Sequence, residues 1–390
     1  MPQGPADNDH GPSGMRYGTE RRMDDGSGES EEDLPHPPPA DERMRSTSGS
    51  TMKILLSGYH NPHFETVTEY TEAAITELGH QLVVFDDREF WLPGRLRARS
   101  RVLQRWEMQS LNRRLVSLAS ARCPDVCLVQ GGHRILPETI RAITAMGIVT
   151  VLWTIDAPGS SGLPYDSAPL YDLVFCGGTE AVELLTSAGV AHARWLPFGC
   201  PSTLEPYPLS EGERLAYDND VCFVGSYYPN RARWIEQLPD VRLRLCGPGW
   251  DRLPRRSPLA AVAHDQQVAP EVWRRLYTAS KIVLGIHYQD GRSPCYQASP
   301  RVFEVMACGA FLLCDAQRDV TTLFKDGVHL VLFHDPRDLR QKITHYLSSP
   351  GERARIAEQG RREVFKNHTY AKRVEQILTL VRTSQGRRNQ

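Results

Sequence analysis

The chain has 390 residues, of which 40% are apolar and 24% are charged, and its formal charge is −1. That length is sufficient for two hydrophobic cores, and the balanced charge argues against a protein built to bind nucleic acid. No apolar run approaches the ~18 residues that a membrane span requires. The nine cysteines include no CxxC pair, so we predict reduced thiols rather than a disulfide scaffold or a zinc ribbon. Because no basic and then apolar stretch opens the chain, we expect a cytoplasmic protein.

The first 51 residues differ in composition from the rest. Residues 1–50 contain eleven acids, five arginines and seven each of Pro and Gly, and no Val, Ile, Phe, Trp or Cys. Such a segment cannot bury enough apolar surface to offset its ordering entropy, so we predict a disordered tail over 1–51. Since Met52 stands directly before the first predicted strand, we expect it to be the native start. A regulatory tail is the alternative.

Short apolar strands alternate with amphipathic helices from Lys53 onward. Strands are predicted at 53–57, 80–85, 126–130, 148–153, 173–176 and around 194–196, with helices between them. This alternation is typical of a parallel sheet covered on both faces, so we predict a Rossmann-like domain over 52–205.

A second series of alternating strands and helices follows a proline-rich stretch, 197–215, which we interpret as a linker. Strands are predicted at 220–225, 241–246, 281–287, 311–314 and 329–333, giving a second Rossmann-like domain over 206–368. A last helix and tail, 369–390, are expected to cross back to the first domain. The predicted fold is therefore α/β, with two doubly wound domains facing across a cleft at the carboxyl ends of their strands.

Three common catalytic motifs are missing from the sequence. The GxGxxG fingerprint and the GxxxxGK[ST] phosphate loop are absent, which disfavours hydride transfer and nucleotide hydrolysis. The GxSxG elbow of serine hydrolases is absent as well.

The segment SPRVFEVMACGAF at 299–311 carries the clearest functional pattern. Ser299 can cap a helix whose first residue is Pro300, and the free N–H groups of such a helix attract phosphate. Glu304, one turn into the helix, could accept hydrogen bonds from ribose hydroxyls. Gly309 permits a tight turn into the next strand.

This segment resembles the nucleotide-sugar site of GT-B glycosyltransferases, specifically those of the CgeB/spore-coat-protein type. The resemblance covers nearly all of 52–378. It is carried by YDLVFCGG and GVAHARWLPFGCP within 171–201, VCFVGSYYPNRARWIEQL at 221–238 and SPRVFEVMACGAFLLCD at 299–315.

The resemblance implies metal-independent transfer of a sugar from a nucleotide-diphosphate donor to an unknown glycan, lipid or protein acceptor, with no cofactor. Glu304 would bind the donor ribose. The residues implied around the diphosphate are Gly225, Ser226, Arg231, Ser299 and Arg301.

One position departs from the pattern of retaining GT-B enzymes. Their Glu-x7-Glu motif would place an acid at position 296, which is Tyr296 here. Two alternatives therefore stay open: a catalytically silent nucleotide-sugar-binding protein of a surface or spore layer, and a GT-B-like sugar-nucleotide epimerase.

Candidate catalytic bases are titratable residues in loops after predicted strands. They are His60, His133 and Asp156, and each could deprotonate an acceptor hydroxyl. Each could equally serve as a helix cap or turn partner. In a retaining mechanism the donor phosphate itself could take the proton.

A predicted helix at 96–121, with the Arg-rich region 95–121, carries arginines beside Leu103, Trp106 and Leu111. A membrane-surface helix that brings the enzyme to a lipid acceptor is one interpretation. A solvated face on a core helix is the other.

Overall fold

Two six-stranded sheets form the frame of the protein in the computed structural model, which describes residues 51–62, 65–92, 100–154, 165–265 and 268–388. All strand pairs in the described part of the chain are parallel. The predicted tail, apart from Thr51, lies outside the described residues.

The first sheet has the strand order β2-β1-β3-β4-β5-β6. Its strands are β1 Lys53–Gly58, β2 Gln81–Asp86, β3 Val126–Gln130, β4 Val149–Thr154, β5 Leu173–Cys176 and β6 Ala193–Trp195. The helices in the described part of this half are α1 Val67–Glu77, α2 Arg101–Arg122, α3 Pro137–Ala145 and α4 Thr179–Ser187. The strand order changes direction between β1 and β3, which is where doubly wound sheets bind ligands.

The second sheet has the order β9-β8-β7-β10-β11-β12. Its strands are β7 Asn219–Val224, β8 Leu243–Gly247, β9 Ala263–Asp265, β10 Ser280–Gly285, β11 Leu312–Asp315 and β12 Val331–Phe333. The helices are α5 Glu211–Tyr217, α6 Pro229–Ile235, α7 Pro270–Ala279, α8 Pro300–Ala307, α9 Arg318–Leu323, α10 Pro336–Ser348 and α11 Pro350–Asn367. This is the Rossmann order, with its switch point between β7 and β10.

Alternate side chains of a strand pack into two different hydrophobic cores, one on each face of the sheet. In β1, Ile54 and Leu56 join one buried cluster while Leu55 joins the cluster on the opposite face. Successive side chains of a strand point to opposite faces, so a strand covered on both sides is apolar throughout. The predicted α/β fold with two Rossmann-like sheets is confirmed.

The last helix, α12 Tyr370–Arg388, packs on the first half of the molecule. Its buried side chains Val374, Ile377 and Val381 belong to the same core as Ile54 and Leu56. The chain therefore returns to its first sheet after completing the second.

The carboxyl edges of the two sheets meet. The backbone N–H and hydroxyl of Thr179, just after β5, donate to the carboxylate of Asp319, just after β11, at 2.9 and 2.6 Å. The N–H of Tyr296 donates to Glu180 at 3.1 Å. These contacts bring the loops at both carboxyl edges into one cleft.

Two predicted boundaries are wrong. The linker predicted for 197–215 ends in helix α5, because Ser210 and Glu213 form a capping box that starts the helix after the last proline. Helix α2 begins at Arg101 rather than near residue 96, with the Ser100 hydroxyl accepting from the Leu103 N–H; residues 93–99 lie outside the described part. Within the described residues, no helix is both long and apolar enough to cross a bilayer.

Candidate active site

The donor residues predicted from the sequence gather at the switch point of the second sheet. Gly225 and Ser226 follow β7, and Arg231 lies on α6. Ser299 is the N-cap residue of α8, and Arg301 lies in its first turn. Helices α6 and α8 thus begin beside the carboxyl ends of β7 and β10.

Arg231 holds the two loops of the switch point together. Its Nε donates to the carbonyl of Ile286 at 2.9 Å, and its Nη1 donates to the carbonyl of Ser226 at 2.8 Å. The side chain is buried, with 6% of its surface exposed. Burial, together with the nearby Arg301, lowers the pKa of Arg231 to about 9, so the guanidinium stays charged at neutral pH.

Arg301 packs against the same aromatic ring as Arg231. The two guanidinium carbons lie 5.0 Å (Arg301) and 5.5 Å (Arg231) from the centre of the Phe223 ring. Gly225 makes room for Arg301, because a Cβ on Gly225 would lie 2.2 Å from Arg301 Nη2. The sequence therefore needs glycine here for close approach rather than for an unusual backbone angle.

Neither arginine has a carboxylate partner among the described residues. Arg301 Nη1 is also buried without a hydrogen-bond acceptor. A buried charge without a partner is costly, so such a pair is suited to an anionic ligand.

The predicted hydroxyl cap of α8 is wrong. Ser299 occupies the N-cap position and Pro300 follows it, but the Ser299 hydroxyl makes no capping bond. Instead, its backbone N–H donates to His287 Nε2 at 3.1 Å. Thus His287, which follows β10, holds the start of α8 in place through this hydrogen bond.

His287 is in turn held by Asp315, in a buried network that the sequence did not predict. Since Nε2 accepts a hydrogen bond, the ring proton is on Nδ1 and is donated to Asp315 Oδ1 at 2.5 Å. Burial alone would raise the pKa of Asp315, but the hydrogen bonds from His287 and Gln317 lower it. The Cys314 thiol lies within 4.8 Å of both side chains, so the three residues could in principle bind a metal ion. Their potential metal-binding atoms contact one another instead, and we therefore interpret the cluster as positioning α8.

Glu304 lies one turn after Arg301, at the junction of the two halves. Burial raises the pKa of Glu304 to about 7, against the opposing charge of Arg301. Together with burial, the charge of Glu304 raises the pKa of Tyr70 on α1 and of Tyr370 on α12. The rings of these two tyrosines are 5.8 Å apart. Tyr277 on α7 and Cys308 at the end of α8 are affected by the same charge, so the carboxyl group lies among groups of both halves.

The predicted catalytic residues occupy different surroundings. His60 Nε2 lies 2.5 Å from Glu72 Oε1; burial favours the neutral ring, but this carboxylate prevails and raises the pKa of His60. His133 is exposed and lines a cavity at the switch point of the first sheet. Asp156 lies outside the described residues.

Sequence reasoning missed two residues of that same cavity, Asp87 and Gln130. Both side chains are 2% exposed, and each has one buried oxygen without a hydrogen-bond donor. The signal available was their position directly at the ends of β2 and β3.

A family model described as glycosyl transferase-like matches residues 231–379, which include Arg231, Arg301 and Glu304. Spore protein CgeB of Bacillus subtilis (strain 168) is 21% identical over 263 residues, which are 63% of this chain and 80% of CgeB.

Solved structures resemble the whole described fold. Anabaena Alr3699/HepE in complex with UDP and glucose has a TM-score of 0.59 at 14% identity, covering 85% of this chain and 100% of that one. Sucrose-phosphate synthase from Thermosynechococcus elongatus has a TM-score of 0.62 at 12% identity, covering 85% and 98%. The chain therefore has the GT-B fold, and these matches confirm the resemblance to CgeB-like GT-B glycosyltransferases that its sequence predicts.

Proposed function

We propose that the protein is a glycosyltransferase that moves a sugar from a nucleotide-diphosphate donor to an acceptor, without a metal ion or other cofactor. The glycosyl transferase-like match and the GT-B fold support this reaction class. The observation that carries the proposal is the pair of Arg231, which is buried, and Arg301, which is partly buried; neither forms an ion pair with a carboxylate among the described residues. A diphosphate would supply the missing negative charge.

Donor binding would use both helices of the switch point. The diphosphate would contact the guanidinium groups of Arg231 and Arg301 and the backbone at Gly225 and Ser226, near the Ser299 end of α8. Glu304, on the same face of α8, would bind the ribose. HepE was solved with UDP and with UDP-glucose, so uridine diphosphate sugars are the first donors to test.

The two arginines would act on the leaving group. As the bond from the anomeric carbon to the diphosphate oxygen breaks, negative charge builds on that oxygen. Fixed positive groups stabilise this charge in the transition state more than in the bound donor. The acceptor oxygen bonds to the anomeric carbon, and its proton passes to a base. We propose His60, His133 and Asp156 as candidates for that base.

Thermal unfolding of the full chain with UDP, GDP and UDP-glucose tests the proposal. A ligand present at 100 times its Kd should stabilise the fold by ~2.7 kcal/mol. Arg301→Gln should abolish most of this shift, whereas Arg233→Gln, an exposed position on α6, should retain it. If no nucleoside diphosphate stabilises the wild-type chain, the proposed donor site is wrong.

A nucleotide-sugar-binding protein without turnover is the second candidate. It is favoured by Tyr296, which stands where a sugar-contacting acid is expected and whose ring lies 5.0 Å from the Arg318 guanidinium. Measuring UDP release from UDP-glucose, with and without added carbohydrates, separates the two: stabilisation by UDP-glucose without UDP release would support the silent protein.

We also propose that the first turns of α2 contact a membrane surface, so that the protein is cytoplasmic and membrane-peripheral. Val102 is 75% exposed and Trp106 is 47% exposed, and they lie beside the exposed Arg101 and Arg105. Apolar side chains among arginines are suited to an anionic lipid surface. Flotation with phosphatidylserine vesicles should carry the wild type upward and leave a Val102→Ser, Trp106→Ser double variant at the bottom.

A further inference from the structure

Two consecutive residues after β10, Ile286 and His287, lie between the helices that carry the donor arginines. From α6, Arg231 Nε donates to the carbonyl of Ile286 at 2.9 Å. Asn230 Nδ2, on the same helix, donates to the carbonyl of His287 at 2.8 Å. On the other side, the ring Nε2 of His287 accepts the Ser299 N–H at the start of α8, at 3.1 Å. His287 therefore connects the two donor helices, through its main chain on one side and its ring on the other.

The bond from the ring to α8 requires one particular tautomer of His287. A neutral imidazole accepts a hydrogen bond only at the ring nitrogen that carries no hydrogen. The Ser299 N–H can therefore bind Nε2 only while the ring hydrogen is on Nδ1. With the hydrogen on Nε2, two N–H groups would face each other at the start of α8. His287 is 2% exposed, so the loss of this bond would leave both groups buried without an acceptor.

The carboxylate of Asp315, the last residue of β11, selects this tautomer. Its Oδ1 lies 2.5 Å from Nδ1 of His287, and an ionised carboxylate accepts hydrogen bonds but donates none. The carboxylate is itself held in place. Its Oδ2 accepts from the His287 backbone N–H at 3.1 Å and from Gln317 Nε2 at 2.9 Å. The ring hydrogen is therefore kept on Nδ1, and Nε2 stays free to accept.

The position of Arg301 depends on where α8 starts. Arg301 lies in the first turn of the helix, two residues after Ser299, and its guanidinium carbon is 5.0 Å from the centre of the Phe223 ring. The space around the guanidinium is limited, since a Cβ on Gly225 would lie 2.2 Å from Nη2. A misplacement of about 1 Å in a binding group can cost ~10²-fold in rate, so a small shift of α8 would impair the site.

We propose that His287 and Asp315 are positioning residues of the donor site. Asp315 sets the tautomer of His287, and this tautomer holds the start of α8, and with it Arg301, where the diphosphate binds. Neither side chain needs to touch the donor, because both ring nitrogens and both carboxylate oxygens are already hydrogen-bonded. The inference rests on the proposed function and specifies what fixes the geometry of its donor site.

Long-range proton–nitrogen NMR on the full chain, labelled with ¹⁵N-histidine, measures the tautomer directly. The signal of His287 is identified as the one that His287→Gln lacks. The ring hydrogen should be on Nδ1 in the wild type and on Nε2 in Asp315→Asn, because the new amide can donate to Nδ1. A wild-type ring with its hydrogen on Nε2, or the same tautomer in Asp315→Asn as in the wild type, would overturn the proposal whether or not a nucleotide binds.

Titration calorimetry, with UDP or GDP according to which binds the wild type, measures the effect on the donor site. Asp315→Asn should weaken the Kd about 10-fold or more. The matched control is Asp220→Asn, near the opposite edge of the same sheet, where the carboxylate pairs with Lys281 at 2.8 Å. This control should lower stability and leave the Kd unchanged. Equal Kd values in the two variants would overturn the positioning role alone, whereas a wild type that binds neither nucleotide would overturn the proposed function as well.

Two variants of His287 separate the bond to α8 from general packing. Gln is one carbon longer than Asn, so His287→Gln keeps an acceptor that reaches as far as Nε2, and His287→Asn does not. The first should hold the Kd within about threefold and the second should weaken it about 10-fold. In the His287→Gln background, Asp315→Asn should have little further effect, since no tautomer is left to select. Far-UV circular dichroism checks folding, and the two His287 variants decide the matter if Asp315→Asn does not fold. Equal Kd values for His287→Gln and His287→Asn would overturn the proposal.

Discussion

The two switch points of the molecule share one architecture and carry opposite chemistry. In the second half, Arg231 and Arg301 are positive groups without a carboxylate partner among the described residues. In the first half, Asp87 and Gln130 each have a buried side-chain oxygen without a hydrogen-bond donor. The carboxyl edges of both sheets meet through Thr179 and Asp319. A doubly wound sheet thus fixes where a ligand binds, and the side chains at that place decide which ligand it is.

The two switch points also differ in the kind of interaction that their side chains lack. The arginines are prepared for a ligand that brings charge, and their attraction acts over a distance and weakens with salt. The two buried oxygens lack a hydrogen-bond donor, which acts only at hydrogen-bond distance. We therefore expect binding of the nucleotide donor to weaken as the ionic strength rises.

The largest effect is expected from Arg231→Ala. Removing one preorganised positive group typically costs ~3–4 kcal/mol in the transition state, so turnover should fall by ~10²–10³. The variant should also lose stability, because Arg231 bonds the carbonyls of both Ser226 and Ile286. Steady-state UDP release, with Arg233→Ala as the exposed control on the same helix, checks this. Equal turnover in the two variants would remove Arg231 from the donor site.

Gly225→Ala should weaken the donor site without removing any charge. Its new Cβ would lie 2.2 Å from Arg301 Nη2, so the guanidinium must move off the Phe223 ring. We expect UDP to bind ~10-fold more weakly, about 1.4 kcal/mol. Titration calorimetry measures it, and Gly212→Ala, where the added carbon meets nothing within 4 Å, is the control. A UDP affinity equal to that of the control would show that the position of Arg301 is immaterial.

Sequence patterns predicted the fold, and they pointed to residues at the switch point of the second sheet but not to Asp87 or Gln130 at that of the first. Strand β3 was predicted with its observed bounds, because a strand buried on both faces is a continuous apolar run. Ser299, Arg301 and Glu304 lie within one short segment, so a local motif could indicate them together.

Contacts between distant segments could not be predicted in this way. His287 accepts the Ser299 N–H at the start of α8 only because β10 and β11 are neighbours and Asp315 orients the ring. Asp87 and Gln130 converge because β1 lies between β2 and β3, and nothing in the local sequence of either residue shows that order.

Asp87→Asn should raise stability at neutral pH, in contrast to substitutions that remove a bonded group. Burial, opposed by Arg88 and Arg134, raises the pKa of Asp87 to about 6, with Asp86 and His60 as further charged neighbours. A raised carboxyl pKa means that the native state disfavours the charged form, so wild-type stability falls as pH rises from about 4 to 6. The variant should therefore be more stable by about 1–3 kcal/mol at pH 7.5, and by little at pH 4. Urea unfolding at both values measures this, and a variant less stable at pH 7.5 would show that Asp87 has a structural partner.

The smallest effect is expected where the two halves join. Thr179→Val removes the 2.6 Å hydroxyl bond to Asp319 and keeps the backbone bond at 2.9 Å, so the loss should be about 1 kcal/mol. Asp319 is fully buried and its pKa is raised by burial, so the remaining bond leaves it only partly satisfied. The Kd of UDP should stay within about twofold, because Thr179 is not part of the switch point of the second sheet. Thr186→Val, exposed on the same helix, is the control in urea unfolding. A larger change in this Kd would show that the junction between the halves is coupled to the proposed donor site.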